Sequence, residues 1–165
     1  MGKLEGAIPS PLPAIPDNLK NKIAVRATYK LTEKEAFLFH EALRSVDLQL
    51  TAEGADYSKL PMVFALFTRD GKFTILPDGD EVGTRINFII YGVSVWRELK
   101  CTDIKLRTVF LEELCHHFWN IEDEEIVKYK VVELYNRYYS TELTINDLYR
   151  SDWKKGYPDL YPENA

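Results

Sequence analysis

The segment from Leu106 to Phe118 constrains the fold more than any other, because its apolar residues recur at the spacing of a buried helix face. A helix turns by about 100° per residue, so residues three and four apart lie on one side. Asp103 can cap this helix, which we expect to continue to about Asn120. The core-facing stripe is predicted to contain Leu106, Phe110, Leu111, Leu114, Cys115 and Phe118.

The opposite face of this helix carries the residues capable of chemistry. Two of the three histidines and two adjacent carboxylates fall between Glu112 and His117. Glu112 and His116 are four residues apart and therefore point the same way, with Glu113 beside them. Two donor side chains at this spacing can hold one metal ion between them.

The residues from Glu112 to His116 resemble the active-site helix of the zincin metallopeptidases, whose signature is H-E-x-x-H. The resemblance covers residues 84–139 and implies a zincin-like fold with one divalent metal ion. His116 matches the second histidine ligand, and Glu113 matches the general base that takes a proton from metal-bound water. Glu112 stands where the first histidine is expected, which shifts the preference from zinc toward manganese or iron.

The same resemblance implies a third ligand and a substrate cleft. The next helix, expected over residues 122–139, opens with four acidic residues, and Glu125 is the predicted third ligand, with Asp123 and Glu133 as open alternatives. Zincins place an apolar strand along the cleft ahead of the active helix, and residues 85–91 are the candidate. The predicted substrate contacts are Tyr91, Trp119 and Asn120.

A second interpretation needs no metal. Glu112 with His116, and Glu113 with His117, are carboxylate–imidazole pairs at i,i+4 spacing, which stabilise a helix by about 0.2–0.5 kcal/mol each. Acidic residues at the start of the following helix also suit its macrodipole. Two functions therefore stay open: a zincin-like metalloprotein, hydrolytic or inactive, and a non-enzymatic regulatory or inhibitory protein of the kind that phages and mobile elements encode. The second would bind a protein or peptide through an acidic, Tyr-rich surface.

The rest of the chain predicts an α+β fold, in which a small antiparallel or mixed sheet packs on helices. Residues 22–31 alternate as a half-buried strand, and Thr32 with Glu35 forms a capping box for a helix to about Ser45. Residues 62–68 and 72–76 are expected to form a hairpin around Asp70-Gly71.

Composition bounds the domain organisation and the partners. Four prolines within residues 1–20 predict an N-terminal arm, followed by one domain over residues 21–165. A net charge of −5 argues against general nucleic-acid binding. Two cysteines are too few for a disulfide framework, and we expect no membrane segment and a cytoplasmic location.

Overall fold

The computed structural model describes residues 3–76 and 87–164. Its strands are β1 (Lys3–Leu4), β2 (Ile23–Ala27), β3 (Val63–Thr68), β4 (Ile75–Leu76) and β5 (Asn87–Gly92). Its helices are α1 (Glu33–Ala52), α2 (Val93–Glu98), α3 (Asp103–Phe118), α4 (Glu124–Tyr139) and α5 (Ile145–Leu148). The mixed α and β class predicted from the sequence is confirmed. Residues 85 and 86, predicted to open the last strand, lie outside the described residues.

The central sheet is parallel, with the strand order β2-β3-β5. The twenty residues of α1 make the crossover between β2 and β3, and a crossover of this length is what parallel pairing requires. The hairpin predicted around Asp70-Gly71 is wrong, because β4 leaves the sheet and pairs antiparallel with β1 instead. An antiparallel or mixed central sheet is likewise not what the described strands form.

The proline-rich segment runs along the domain without regular secondary structure over residues 7–16. Its backbone is tied to the domain where the Ile8 amide donates to the Ala27 carbonyl. The Ser10 hydroxyl oxygen accepts a hydrogen bond of 2.9 Å from the Leu31 amide. These contacts hold the segment beside the carboxyl end of β2.

Helix bounds follow the buried stripes. The capping box of Thr32 and Glu35 is confirmed, but α1 continues past the predicted end at Ser45 because Val46 and Leu50 extend its buried face. The cap of α3 is Thr102 rather than Asp103, since the Thr102 side chain accepts from the Lys105 amide. Within the described residues, none of the helices combines the length and apolar character that crossing a membrane needs.

An aromatic cluster fixes α3 against the sheet. Phe110 of α3 packs edge to face on Phe39 of α1, Phe67 of β3 and Tyr91 of β5, at centroid distances of 5.0–6.1 Å. Edge-to-face rings at this range add about 0.5–1.5 kcal/mol per pair beyond the burial of their area. The polar face of α3 is thereby turned away from the sheet and toward α4 and the chain that follows it.

Candidate functional site

The predicted register of α3 is confirmed. All six residues expected in the core-facing stripe are buried, from Leu106 to Phe118. Glu112 and His116 are half-buried together on the opposite side. The helix therefore presents its polar pair to a protected surface rather than to bulk water.

Three side chains bring metal-binding atoms together: Glu112, His116 and Glu124. One donor atom from each lies within 4.8 Å of the other two. Glu112 and His116 come from consecutive turns of α3, and Glu124 is the first residue of α4. The short connection between α3 and α4 therefore places Glu124 next to the two donors of α3.

Hydrogen bonding orients His116 within this group. Its Nδ1 lies 2.6 Å from the Ile121 carbonyl oxygen, which can only accept, so Nδ1 carries the hydrogen. The Nε2 atom consequently faces Glu124, at 3.7 Å from Oε1. A backbone carbonyl fixing one ring nitrogen while the other faces outward is the arrangement that orients histidine ligands in metal sites.

The residues predicted as third ligand lie elsewhere. The Glu125 carboxylate pairs with Lys154 at 3.0 Å. Asp123 caps α4 by accepting from the first backbone amides of that helix at 2.8 Å. Glu133 accepts from Gln49. Glu124, which sequence reasoning placed in the acidic opening without choosing it, is the carboxylate that reaches Glu112 and His116.

Lys128 occupies the space between the two carboxylates of the group. Its Nζ donates to Glu112 Oε1 and to Glu124 Oε2, each at 3.1 Å, and to the Glu124 carbonyl at 3.4 Å. All three ammonium hydrogens are therefore used. The Lys128 side chain is only 3% exposed. Burial lowers the pKa of Lys128, but the Glu112 and Glu124 carboxylates outweigh that effect and raise it, so the group stays charged at neutral pH.

Three aromatic rings enclose the same ammonium. Its Nζ lies 4.5 Å from the centroid of the Trp153 ring, 5.1 Å from Tyr157 and 5.3 Å from Tyr149. These rings belong to the segment after α5, which turns through a 3-10 helix at Trp153–Gly156. Desolvated cation–π contacts of this kind contribute up to about 2 kcal/mol. The aromatic residues after α5 thus pack on the domain, where they surround the Lys128 ammonium.

Lys128 was missed by sequence reasoning, although a signal for it exists. It follows Val127 and precedes Val131 on the buried stripe of α4. A lysine at such a position needs carboxylate partners, because an unpaired buried charge is costly. Glu124, four residues earlier on the same helix, is the nearest candidate for that partner.

Lys128 would compete with a divalent ion for the two carboxylates of this donor set. Ligands at 2.0–2.2 Å from tetrahedral zinc lie about 3.3–3.6 Å from one another, so an ion must sit between the donors. The Lys128 ammonium already lies within hydrogen-bond distance of both carboxylates. A divalent cation placed there would repel it at close range. The Lys128 ammonium therefore holds one oxygen of each carboxylate, while His116 Nε2 faces the other oxygen of Glu124.

Glu113 and His117 lie outside the three-donor group. Burial raises the pKa of the Glu113 carboxyl, and the Glu112 and Glu124 charges add to this rise although His116 opposes it. Burial also lowers the pKa of His117, with a further lowering from His116 and an opposing hydrogen bond to the Phe88 carbonyl. Glu113 favours its protonated form, and His117 its neutral form, more than the free side chains do.

The predicted substrate contacts separate into two groups. Tyr91 is buried in the core, where its hydroxyl donates to the Phe110 carbonyl at 3.2 Å, so it is unavailable to a substrate. Trp119 and Asn120 line a cavity of about 760 Å³ at the end of α3, together with His116 and His117. Asn120 has a φ of 51°, the left-handed conformation in which α3 ends.

Comparison with known proteins adds no family. Neither the protein-family models, nor the curated proteins, nor the solved structures contain a match to this chain. The resemblance to zincins therefore rests on the residues of α3 and α4 alone.

Proposed function

We propose that this chain is a non-enzymatic protein that acts by binding another protein, and that its zincin-like helix pair is a structural element. The observation that carries the proposal is the position of Lys128, whose ammonium bonds both Glu112 and Glu124. A peptidase of this type needs a metal ion to acidify the attacking water. An ammonium bonded to both carboxylates offers neither a Lewis acid nor a bound water.

The binding surface that we propose is the outward face of α4 together with Glu122, which lies two residues before the helix. It consists of Glu122, Ile126, Tyr129 and Glu133, which follow one another at three- and four-residue spacing. Ile126 is 58% exposed and Tyr129 is 55% exposed, in contrast to the buried opposite side of the helix. An exposed apolar pair framed by carboxylates matches a partner with an apolar anchor and basic flanks. The net charge of −5 favours approach of a basic partner.

Affinity capture with three forms of the chain tests this proposal. The wild type is compared with Ile126→Asp/Tyr129→Ala and with the control Leu99→Asp, which alters an even more exposed apolar residue directly after α2. We expect quantitative mass spectrometry to find a partner retained by wild type and control and lost from the double variant. Its affinity is then measured with purified partner, and loss of a central apolar anchor should weaken binding by tenfold or more, about 1.4 kcal/mol. Equal affinity for all three forms would refute the α4 surface.

A metal-dependent hydrolase is the second candidate function, and the three donors within 4.8 Å of one another favour it. It requires Lys128 to leave its position, after which Glu113 would be the general base. Cleavage of a fluorogenic peptide library with added zinc or manganese tests it, with Glu113→Gln as the matched control. Cleavage that depends on both metal and Glu113 would establish the hydrolase and overturn the non-enzymatic proposal.

A further inference from the structure

We propose that Glu112, His116 and Glu124 form a latent divalent-metal site, which the chain keeps closed with the ammonium of Lys128 and which opens to zinc when that ammonium is removed. The inference deepens the proposed function and rests on it in one respect, namely that Lys128 excludes metal from the native chain. It also names the class of ligand that the site would bind, which is a divalent cation of borderline or hard character.

The geometry of the donors carries the first step. Their metal-binding atoms lie within 4.8 Å of one another, and a contraction of at most about 1.2–1.5 Å brings them to the spacing of a zinc coordination sphere. Glu112 and Glu124 lie on different helices, and the movement that the site requires is a rotation of their side chains toward His116. His116 is already oriented by the Ile121 carbonyl and needs no rearrangement of its tautomer.

The charges of the cluster are the second argument for a divalent-metal site. One ammonium faces two carboxylates, so the group keeps one negative charge in a partly buried place. A divalent ion with neutral His116 would balance both carboxylates. Because each carboxylate side chain is less than a fifth exposed, water compensates this residual charge poorly. The site therefore favours a divalent cation over a monovalent one as soon as there is room for it.

The test uses Lys128→Met in the full-length chain. Methionine is unbranched, fills the space between the three rings and carries no charge. Lys130→Met is the matched control, because Lys130 lies on the same helix, also bonds two glutamates and also sits on an aromatic ring. Each protein is purified without chelator or histidine tag and then equilibrated with zinc sulfate.

We expect Lys128→Met to bind zinc stoichiometrically by elemental analysis, whereas wild type and Lys130→Met do not. Zinc at about 100 times its Kd should raise the Tm of Lys128→Met by about 5–10 °C and leave the other two unchanged. Adding His116→Ala or Glu124→Gln to Lys128→Met should abolish both effects, because either change removes one of the three donors.

The outcomes separate the two proposals. Folded Lys128→Met that binds no zinc overturns the latent site and leaves the proposed function standing. Stoichiometric zinc in the wild type overturns the exclusion by Lys128, and with it both proposals. Should Lys128→Met fail to fold because two carboxylates lose their counter-ion, Glu112→His/Lys128→Met removes one carboxylate and restores the histidine of the zincin pattern. A folded double variant without zinc then overturns the latent site.

Discussion

We predict that protonation of Glu35 lowers the unfolding free energy of the protein at acidic pH. It is the third residue of α1, and its buried carboxylate closes the capping box with Thr32. The same carboxylate accepts from Trp96 Nε1 at 2.7 Å and from Arg97 Nε at 2.9 Å. It therefore joins the start of α1 to α2, and protonation should loosen both connections.

The magnitude follows from the pKa of Glu35. Burial alone would raise it, but hydrogen bonds from Arg97, Thr32 and Trp96 outweigh burial and lower the pKa from 4.5 to about 2. At 1.36 kcal/mol per pKa unit, this shift corresponds to about 3 kcal/mol, which solvent screening of the partly exposed Arg97 reduces to about 2 kcal/mol. Because the pKa is lower in the folded chain, the stabilisation is complete above about pH 4.5 and is lost as the pH falls through about 2.

Urea denaturation of Glu35→Gln and wild type at several pH values measures this contribution. At pH 7 the variant should lose about 2 kcal/mol of unfolding free energy, and the difference should fall to less than half of this by about pH 2.5. Glu33→Gln is the control, since this exposed residue on the same first turn should change stability by less than about 0.5 kcal/mol. A difference for Glu35→Gln that does not change with pH would show that the Glu35 carboxylate charge does not stabilise the fold.

Three further perturbations have definite expected outcomes. Burial and the nearby Glu112 carboxylate raise the pKa of Tyr149, but within the described residues its hydroxyl makes no well-aligned hydrogen bond, so Tyr149→Phe should change the unfolding free energy by less than about 0.5 kcal/mol. A loss above about 1 kcal/mol would reveal a bond to Glu112. Burial raises the pKa of the Cys115 thiol, so iodoacetamide at pH 8 should alkylate the half-buried Cys101 first. Mass spectrometry measures the labelling of each cysteine, and equal labelling of the two would contradict this prediction. Glu125→Ala removes a partly exposed ion pair with Lys154, so it should cost less than about 1 kcal/mol yet speed tryptic cleavage after Lys154, whereas unchanged cleavage would show that the pair does not hold the segment.

The sequence predicted α3 well because its pattern is strong. Apolar residues repeat at helical spacing over three turns, so the buried stripe and the shared face of Glu112 and His116 both follow from periodicity. The pairing of the strands was not predictable in the same way. The Asp70-Gly71 turn does form, with the Gly71 amide donating to the Thr68 hydroxyl, but the chain after it joins β1 rather than folding back on β3. Long-range pairing of this kind leaves no trace in local spacing.

Only the part of the candidate site that α3 contributes could be predicted from the sequence. Helix α3 supplies its share through residues whose spacing is fixed, whereas the contribution of α4 depends on how the two helices are rotated against each other. A rotation of one residue decides whether Glu124 or Glu125 faces α3, and the sequence alone does not determine it. Lys128 changes the interpretation most, because it turns a set of metal-binding donors into a closed ion-pair cluster.

We propose that Lys128, rather than a metal ion, balances Glu112 and Glu124 in the native chain. The decisive measurement is elemental analysis of the wild-type protein, expressed without a histidine tag and purified without chelator. We expect no transition metal in stoichiometric amount, even after equilibration with zinc or manganese and removal of the excess. One tightly held metal ion per chain, lost in His116→Ala, would contradict it.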